Sequence, residues 1–441
     1  MRKNEYAELN IENIGMNGEG VARYDGMVVF VKGALPGETV KAKIICVKSH
    51  FAYALAEQID GKSAARRPAP CPLSGKCGGC TLQNVKYEFQ LELKKNLVAD
   101  ALHKAGINAR VSDVVPSPGE LRYRNKMSMP VGKSADKNLV GLYAFNSHRI
   151  VDCNDCLLQP EWNSVIIGLF REFIRQNGLS GYSEADRSGE LRHLIVREVE
   201  KHLFITVVSV RKIKLEGFAE LLKGRFSDFS LYLNINDKNN NVIIGDKWTK
   251  IYGNDVFAEI SGFKTKIHPA GFFQVNDKIR DMIYTEVLSA VAAIRPETVI
   301  DAYSGAGLMT AMLSRVADKT IGIEINGEAS RSADMLIKEN GITNMTALQG
   351  DVKQVLPSLN CKKDNCVVVL DPPRAGCEKQ VLCEVLSFAP QMIVYISCNP
   401  STLARDLALL TNDYNIRSVT PYDMFPQTTH VETLVLMTKR T

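Results

Sequence analysis

Three side chains near the C-terminus could together carry out covalent chemistry. Asp371 follows the apolar run Val367–Leu370 in VVVLDPPRAG, and Cys398 follows a second apolar run in MIVYISCNP. Both runs are rich in β-branched residues, which is typical of buried parallel strands. Because residues just past such strands line the ligand crevice of an open α/β sheet, we expect Asp371 and Cys398 to meet there. Together with Glu432 in the segment HVE, they provide a thiol nucleophile, a carboxylate and a candidate base.

A second group of residues is typical of a cofactor pocket. The segment TVIDAYSGAG predicts a strand, a tight glycine turn that begins at Asp301, and then a helix. The next predicted strand ends at Glu324, 23 residues after Asp301, where an acid can accept hydrogen bonds from ribose hydroxyls. The turn is GxG without a third glycine, so it matches a nicotinamide dinucleotide only weakly. S-adenosylmethionine fits better, because it has no phosphates and tolerates a neighbouring carboxylate. The candidate cofactor-binding residues here are Asp301, Tyr303, Gly305, Glu324, Asp351 and Asp371.

Five further cysteines have the spacing of metal ligands. Cys71, Cys77 and Cys80 lie within ten residues of one another, and Cys153 and Cys156 follow about 75 residues later. Three close thiolates and one distant thiolate can bind zinc or a [4Fe–4S] cluster, since both accept four cysteines. Spacing alone slightly favours zinc, and it leaves two alternatives for the fourth ligand. The chain has 11 cysteines, and in a reducing compartment such cysteines are more often ligands or nucleophiles than disulfide partners.

The elements that must position these residues follow from periodicity and turn signals. Residues 1–60 alternate short β-like runs with Gly and Pro-Gly turns, which predicts a small β-barrel. Residues 61–271 predict an α+β middle domain that holds the cysteine cluster. Within it, apolar residues recur at helical spacing from Val85 to Ala105 and predict one long amphipathic helix. Over residues 272–441 strand, turn and helix repeat, which predicts a Rossmann-like α/β domain with a doubly wound sheet.

Length and charge narrow the class of protein. A chain of 441 residues is expected to form several domains. No apolar run approaches the length of a membrane span and the N-terminus has no signal-peptide core, so we expect a cytoplasmic protein. Residues 1–130 carry 19 Lys+Arg against 13 Asp+Glu, whereas the rest carry 35 against 36. This basic excess favours a nucleic-acid-facing arm on a neutral catalytic body, although ordinary variation of a solvated surface is the alternative. No obligate protein partner is indicated.

Four motifs together resemble one enzyme family. DPPRAG, SCNP and the C-terminal HVE, preceded by FFQVN at residues 272–276, are similar to the RNA 5-methyluridine methyltransferases, and most of all to their 23S rRNA (uracil-5-)-methyltransferase group, RlmD or RumA. The resemblance covers nearly the whole chain. It implies an S-adenosylmethionine-dependent methyltransferase domain and an N-terminal TRAM domain, an OB-like barrel that binds RNA. It also implies that part of residues 84–115 packs on the catalytic domain.

The resemblance implies roles for single residues as well. Gln274 would contact the cofactor, Phe272 would stack near the target base, and Asp371 would line the pocket together with Asp301 and Glu324. A [4Fe–4S] cluster rather than zinc would be bound, with the ligands Cys71, Cys77, Cys80 and Cys156. Cys153 remains the second choice for the fourth ligand.

The chemistry of uracil gives the three reacting residues separate tasks. Uracil C5 is too weak a nucleophile to attack a sulfonium methyl group unaided. The thiolate of Cys398 would add to C6 and make C5 nucleophilic, while Asp371 accepts the ring N3–H. After methyl transfer Glu432 would remove the C5 proton, so that the thiolate can leave. Because the target uridine must leave its stack to reach Cys398, base flipping or a remodelled loop is implied.

Basic and aromatic residues could bind the RNA. A TRAM barrel would combine a basic groove with aromatic platforms, and the candidates are Arg23, Tyr24, Lys32, Lys48, His50, Phe51 and Tyr53. Further candidates for phosphate contacts are Arg122, Arg124, Lys126, Arg192, His193 and Arg197.

We therefore expect methylation of uridine C5 in structured RNA, with 23S rRNA as the first substrate and the T-loop uridine of tRNA as the second. A non-catalytic RNA-binding protein on a degenerate methyltransferase fold is the alternative from another class, but the nucleophile, base and pocket acids are all present. A cytosine-5 methyltransferase is disfavoured by the pairing of DPPRAG with SCNP.

Overall fold

The computed structural model describes residues 1–134, 137–271, 273–361 and 365–440. Phe272, which the family resemblance places near the target base, lies outside the described residues. None of the described helices combines the length and the apolar character that crossing a membrane would require.

The N-terminal part is a strongly curved sheet of six strands around its own core. The strands are β1 Tyr6–Asn10, β2 Asn13–Ile14, β3 Gly20–Tyr24, β4 Met27–Lys32, β5 Thr39–Val47 and β6 Phe51–Asp60. They pair in the order β1-β5-β6-β4-β3-β2. Alternation produces the core: in β5, Val40, Ala42 and Ile44 are buried while Lys41 and Lys43 between them point outward. The small barrel predicted for this region is consistent with this sheet.

The middle part is a second sheet with helices on one face. Its elements are α1 Tyr87–Lys104, β7 Lys126–Ser134, β8 Lys137–Tyr143, β9 Ile150–Asp152, α2 Trp162–Gln176, β10 Leu191–Val199, β11 His202–Ser209, α3 Glu216–Lys223, β12 Phe229–Ile235 and β13 Lys247–Tyr252. The strand order is β13-β12-β11-β10-β7-β8-β9. Helices α2 and α3 cover one face through Phe170, Phe173 and Phe218. The hairpin of β14 Val256–Ile260 and β15 Phe263–Ile267 packs on the other face through Phe204 and Tyr232.

The C-terminal part is a doubly wound α/β sheet. Its elements are α4 Asp277–Ile294, β16 Thr298–Asp301, α5 Leu308–Leu313, β17 Lys319–Glu324, α6 Gly327–Asn340, β18 Met345–Gln349, α7 Val352–Val355, a 3₁₀ turn Leu356–Ser358, β19 Cys366–Leu370, α8 Lys379–Phe388, β20 Met392–Ser397, α9 Pro400–Leu410, β21 Tyr414–Tyr422 and β22 Glu432–Lys439. The order is β18-β17-β16-β19-β20-β22-β21, with the first five strands parallel and β22 antiparallel to β20. The order reverses between β16 and β19, where such sheets open a ligand crevice at their carboxyl ends. The predicted α/β fold is confirmed.

Helix α1 belongs to the core of the C-terminal part, although it precedes the middle sheet in the chain. Val98 and Leu102 pack in the same hydrophobic cluster as residues of α8 and α9. Its fully buried positions are Gln90, Lys94, Val98 and Leu102, four residues apart, whereas the apolar Phe89 and Leu93 are only half-buried. Two polar side chains on the inner face are tolerated because both are hydrogen-bonded inside the protein.

Candidate active site

Asp371, Cys398 and Glu432 lie together at the carboxyl edge of the C-terminal sheet. Asp371 directly follows β19, and Cys398 directly follows its neighbour β20. Strand β22 runs antiparallel to β20 with Thr433 opposite Ser397, which places its first residue, Glu432, beside Cys398. The main chain of Glu432 also pairs with β21 on the other side. Strand pairing therefore brings the main chain of all three residues to one edge of the sheet.

The charges of these side chains act on one another. Burial raises the pKa of the Cys398 thiol to about 11, and the negative charges of Glu432 and Asp371 contribute to this shift, while Arg374 opposes it. Burial, followed by the charge of Asp371, also raises the pKa of Glu432 well above its usual range. The pKa of Asp371 is raised to about 7 by burial and by Asp301. With a pKa of about 11, the Cys398 thiol keeps its proton at neutral pH until uracil binds.

The predicted cofactor turn forms at the end of β16, next to these residues. The Asp301 carboxylate is buried and accepts a hydrogen bond from Thr310 Oγ1 at 2.7 Å. Burial raises its pKa to about 6. Glu324 Oε2 accepts the main-chain N–H of Gly305 at 3.0 Å, which ties the end of β17 to the turn. Gly307 has φ 84°, and a Cβ there would lie 2.8 Å from Ala333, so the turn requires a glycine.

The other predicted cofactor residues have different surroundings from one another. Tyr303 is half-buried against the hydrophobic cluster beside the turn. Asp351 caps α7, because its Oδ1 accepts the main-chain N–H of Lys353 at 3.1 Å. Its Oδ2 forms an ion pair with Nζ of the same lysine at 3.2 Å. The main-chain carbonyl of Gln274 accepts a hydrogen bond from Asn125 Nδ2 at 2.9 Å. The middle sheet therefore holds the segment that carries Gln274.

Sequence reasoning missed two residues of this crevice. Thr310 orients Asp301 from the first turn of α5. Tyr284 lies in α4, and after burial the charges of Asp371 and Asp301 are the main causes that raise its hydroxyl pKa, so the hydroxyl lies near both acids. Neither residue belongs to a recognisable motif, and only the packing of α4 and α5 against the sheet brings them to the site.

The remaining candidate site is a cavity in the middle part that collects the clustered cysteines. Its lining includes Cys71, Cys77, Cys80, Cys153 and Cys156. Gln83 joins two of them, because its Oε1 accepts the N–H of Cys71 at 3.1 Å and its Nε2 donates to Cys80 Sγ at 3.3 Å. The N–H of Gly79 donates to Cys77 Sγ at 3.3 Å. Such donors stabilise thiolates rather than thiols.

The two alternatives for the fourth ligand differ in their surroundings. Cys153 is 2% exposed and belongs to the hydrophobic core of the middle sheet. Cys156 is half-buried, and the positive charge of Arg124 acts on its thiol. Arg122 holds the loop around Cys156 through a bidentate pair with Asp155 at 2.7 and 2.8 Å. This difference favours Cys156.

Zinc and a four-iron cluster place different requirements on these cysteines. Across the described ranges, no three His, Cys, Asp or Glu side chains converge closely enough to hold one metal ion. A tetrahedral zinc site needs all four sulfurs about 2.3 Å from the metal. A four-iron cluster holds its four thiolates around a larger body, and hydrogen bonds to its sulfurs are usual. The cluster that the resemblance implies and the zinc that spacing alone slightly favoured therefore both stay predictions.

The side chains predicted to contact RNA have different surroundings, and some of them already bond to other parts of the protein. Phe30, Phe51 and Tyr53 form an aromatic patch on β4 and β6 with ring centroids 5.5 to 5.8 Å apart. Arg122 is occupied by Asp155, and Arg192 donates to the carbonyls of a neighbouring loop. These two arginines therefore stabilise the protein itself.

Of Lys126 and Arg197, only the partly exposed Lys126 remains a candidate for a phosphate contact. They lie opposite each other on β7 and β10. Arg197 is 2% exposed, and its Nε has no hydrogen-bond partner among the described residues. Burial, followed by the charge of Arg197, lowers the pKa of Lys126 to about 8. This pair of cations lies against the segment that leads to Gln274, because Arg197 donates to the Gly271 carbonyl at 2.7 Å.

Comparisons with known proteins match two parts of the chain to known families. The sequence model of the tRNA (Uracil-5-)-methyltransferase family matches residues 259–440, and that of the TRAM domain matches residues 2–56. An uncharacterized RNA methyltransferase of Clostridium tetani is 38% identical over 99% of this chain and 97% of its own length. Another from Listeria innocua is 35% identical over 99% and 98%.

One solved structure has the same fold over almost the full length. It is the tRNA (uracil-54, C5)-methyltransferase of Pyrococcus abyssi in complex with S-adenosyl-L-homocysteine, with a TM-score of 0.76. The match covers 98% of this chain and 100% of that chain at 24% sequence identity. With the relatives and the two domain matches, the conclusion is that this chain belongs to the S-adenosylmethionine-dependent RNA (uracil-5-)-methyltransferase family.

Proposed function

We propose that this enzyme methylates uridine C5 in 23S rRNA through a covalent bond between Cys398 and uracil C6. The observation that carries the proposal is the meeting of one thiol with two carboxyl groups at the ends of β19, β20 and β22. A thiol alone could be a structural cysteine, but the acids around Cys398 provide the proton transfers that the reaction requires.

The first step forms the bond between Cys398 and the base. As uracil binds, the thiol of Cys398 loses its proton to solvent, and the sulfur adds to C6, so that the ring becomes an enolate with a nucleophilic C5. Asp371, in its ionised form, accepts the N3–H and orients the ring. Arg374 supports this step, because its positive charge favours the thiolate form of Cys398. When bound, S-adenosylmethionine supplies the methyl group that C5 takes.

The last step releases the product and restores the thiolate. Glu432 removes the proton from C5, the C5–C6 double bond re-forms, and the bond between Cys398 and C6 breaks. A carboxylate whose pKa is raised is a stronger base, and burial with the nearby Asp371 raises the pKa of Glu432. Glu432 is only 4% exposed, so competing water has little access to it.

A [4Fe–4S] cluster on Cys71, Cys77, Cys80 and Cys156 is part of the proposal. The shared cavity, the hydrogen bonds to Cys77 and Cys80 and the fixed loop of Cys156 support it. Its place, far along the chain from Cys398 and on a separate sheet, favours a structural role over a part in methyl transfer.

A second candidate substrate is the T-loop uridine of tRNA. The fold shared with the Pyrococcus abyssi tRNA enzyme and the description of the matched family favour it. The same reacting residues would serve both substrates, so the difference must lie in the RNA-binding surfaces.

The test compares both RNAs directly. Labelled methyl transfer from S-adenosylmethionine would be measured on unmodified 23S rRNA and tRNA transcripts, and the products would be mapped by nuclease digestion and mass spectrometry. We expect 5-methyluridine in 23S rRNA only. Label confined to the tRNA T-loop would overturn the substrate but keep the chemistry. Label in neither RNA, despite measurable RNA binding, would overturn the enzymatic proposal.

A further inference from the structure

The loop that leads into Glu432 is buried although it has no regular secondary structure. We name residues 423–431, between β21 and β22, the base loop. Asp423, Gln427 and Val431 are fully buried, and Thr428 is 4% exposed. A buried loop must satisfy its main-chain polar groups with specific partners. Those partners identify what holds the loop in place.

The cysteine segment provides the first partner. The carbonyl of Gln427 accepts two hydrogen bonds, from the N–H groups of Thr81 and Leu82, both at 3.0 Å. These donors directly follow Cys80. Gln427 has φ 70°, a left-handed conformation that turns its carbonyl toward them. The main chain next to the cysteine cavity is therefore bonded to the main chain five residues before Glu432.

Helix α1 provides the second partner through the side chain of Gln90. Its Oε1 accepts the N–H of Gln427 at 3.0 Å, and its Nε2 lies 3.1 Å from Gln427 Oε1. The same Nε2 lies 3.1 Å from the carbonyl of Leu82. Gln90 thus joins the cysteine segment and the base loop through a single buried amide.

Other contacts hold the first half of the base loop. Lys94, one helical turn after Gln90, forms a fully buried ion pair with Asp423 and donates to the Phe425 carbonyl at 3.0 Å. The Gln427 side chain accepts from Arg67 at 3.1 Å and donates to Glu120 at 2.9 Å. Every one of these partners lies more than 300 residues away along the chain.

We propose that Gln90 and Gln427 are positioning residues for Glu432, through which the arrangement of the cysteine segment reaches the catalytic base. The inference rests on the proposed function, because it assigns Glu432 to the release of the covalent complex. A base displaced by a fraction of an ångström removes a proton slowly, whereas RNA and cofactor binding do not depend on it. Loosening this link therefore slows release specifically.

The test uses the full-length protein with Gln90→Leu, which keeps the size of the side chain and removes its amide. Gln176→Leu, at an exposed position at the end of α2, is the matched control. We expect release of methylated RNA to slow by roughly 10- to 100-fold, so that a covalent protein–RNA complex accumulates on denaturing gels. Hydrogen exchange of the peptide that contains residues 423–431 should become faster, and RNA affinity should stay within about twofold of wild type.

Several outcomes would overturn the inference. Equal slowing of adduct formation and release, or unchanged hydrogen exchange of the base loop, would mean that Gln90 only stabilises the fold. If Gln90→Leu does not fold, Gln427→Gly replaces it, because glycine keeps the left-handed main chain and its carbonyl while the amide is lost. Release at the wild-type rate in that variant contradicts the proposal. Methylation by the wild type without any covalent complex in Glu432→Gln would overturn the proposed function instead, while the hydrogen-exchange comparison would still test the link.

Discussion

The thiol at the end of β20 and the thiols of the middle cavity have opposite surroundings. Cys398 has carboxyl groups near it, Asp371 and Glu432, which can move protons. Cys77 and Cys80 have other thiols near them and N–H donors aimed at their sulfurs. The first arrangement offers groups that can transfer protons during a reaction, and the second offers hydrogen-bond donors that stabilise thiolates.

The two sites also differ in what holds them. Paired strands bring the main chain of Cys398 and Glu432 together through hydrogen bonds that any sequence in those strands would make, and the base loop adds contacts just before Glu432. The cavity is built from turns, so side chains such as Gln83 and Arg122 must hold its loops. We therefore expect mutations to affect chemistry at the first site and assembly at the second.

The largest effect is expected for Cys398→Ala. Removing the nucleophile should reduce methyl transfer by roughly 10⁴-fold or more, since binding alone leaves little rate enhancement. RNA and S-adenosylmethionine affinities should be unchanged, which filter binding and calorimetry would check. Cys383→Ala, an exposed cysteine of α8, is the control and should be fully active. Turnover by the Cys398 variant would contradict covalent catalysis.

Glu432→Gln should reduce turnover by roughly 10²- to 10⁴-fold, the usual contribution of a positioned general base. One methyl group per enzyme would still be transferred, and the covalent complex would accumulate on denaturing gels. Glu92→Gln, exposed on α1, is the matched control. If the variant consumed cofactor but only free protein appeared on the gels, Glu432 would not be the base.

Gln83→Leu should act on the cavity and not on the nucleophile. Losing the hydrogen bond to Cys80 should weaken cluster retention by roughly 10- to 100-fold, measured as iron and acid-labile sulfide per chain after gel filtration. Because Cys80 adjoins the donors to Gln427, hydrogen exchange of the base loop should also become faster. If Gln83→Leu kept its full iron content and the hydrogen exchange of the base loop did not change, the prediction would be wrong and the cavity would have no influence on the base loop.

The smallest effect is expected for Arg374→Gln. The positive charge of Arg374 lowers the pKa of Cys398, so its removal should raise that pKa. The thiolate then forms at higher pH, and the alkaline rise of iodoacetamide labelling at Cys398 should move upward by less than about one pH unit. Arg417→Gln, on β21, should leave the profile in place. If the labelling profile of Arg374→Gln moved toward lower pH, Arg374 would not be the group that favours the Cys398 thiolate.

Much of the catalytic edge could be predicted from the sequence, because strand pattern and strand ends are local properties. The apolar runs before Asp371 and Cys398 form β19 and β20, and parallel pairing brings their ends to one edge. The glycine turn after β16 and the acid at the end of β17 follow the same rule, which is why Asp301 and Glu324 lie beside each other. The grouping of Cys71, Cys77 and Cys80 was equally local.

Only the tertiary structure decided which residues support these sites. Gln90 and Lys94 are polar residues that an amphipathic pattern assigns to the outer face of α1, yet both are fully buried. Their partners, Gln427 and Asp423, lie 337 and 329 residues away. No helical period contains that information, because the free energy that buries a polar side chain comes from a partner placed by the folded chain. Residue types and spacing thus determined the chemistry, and long-range contacts determined what positions it.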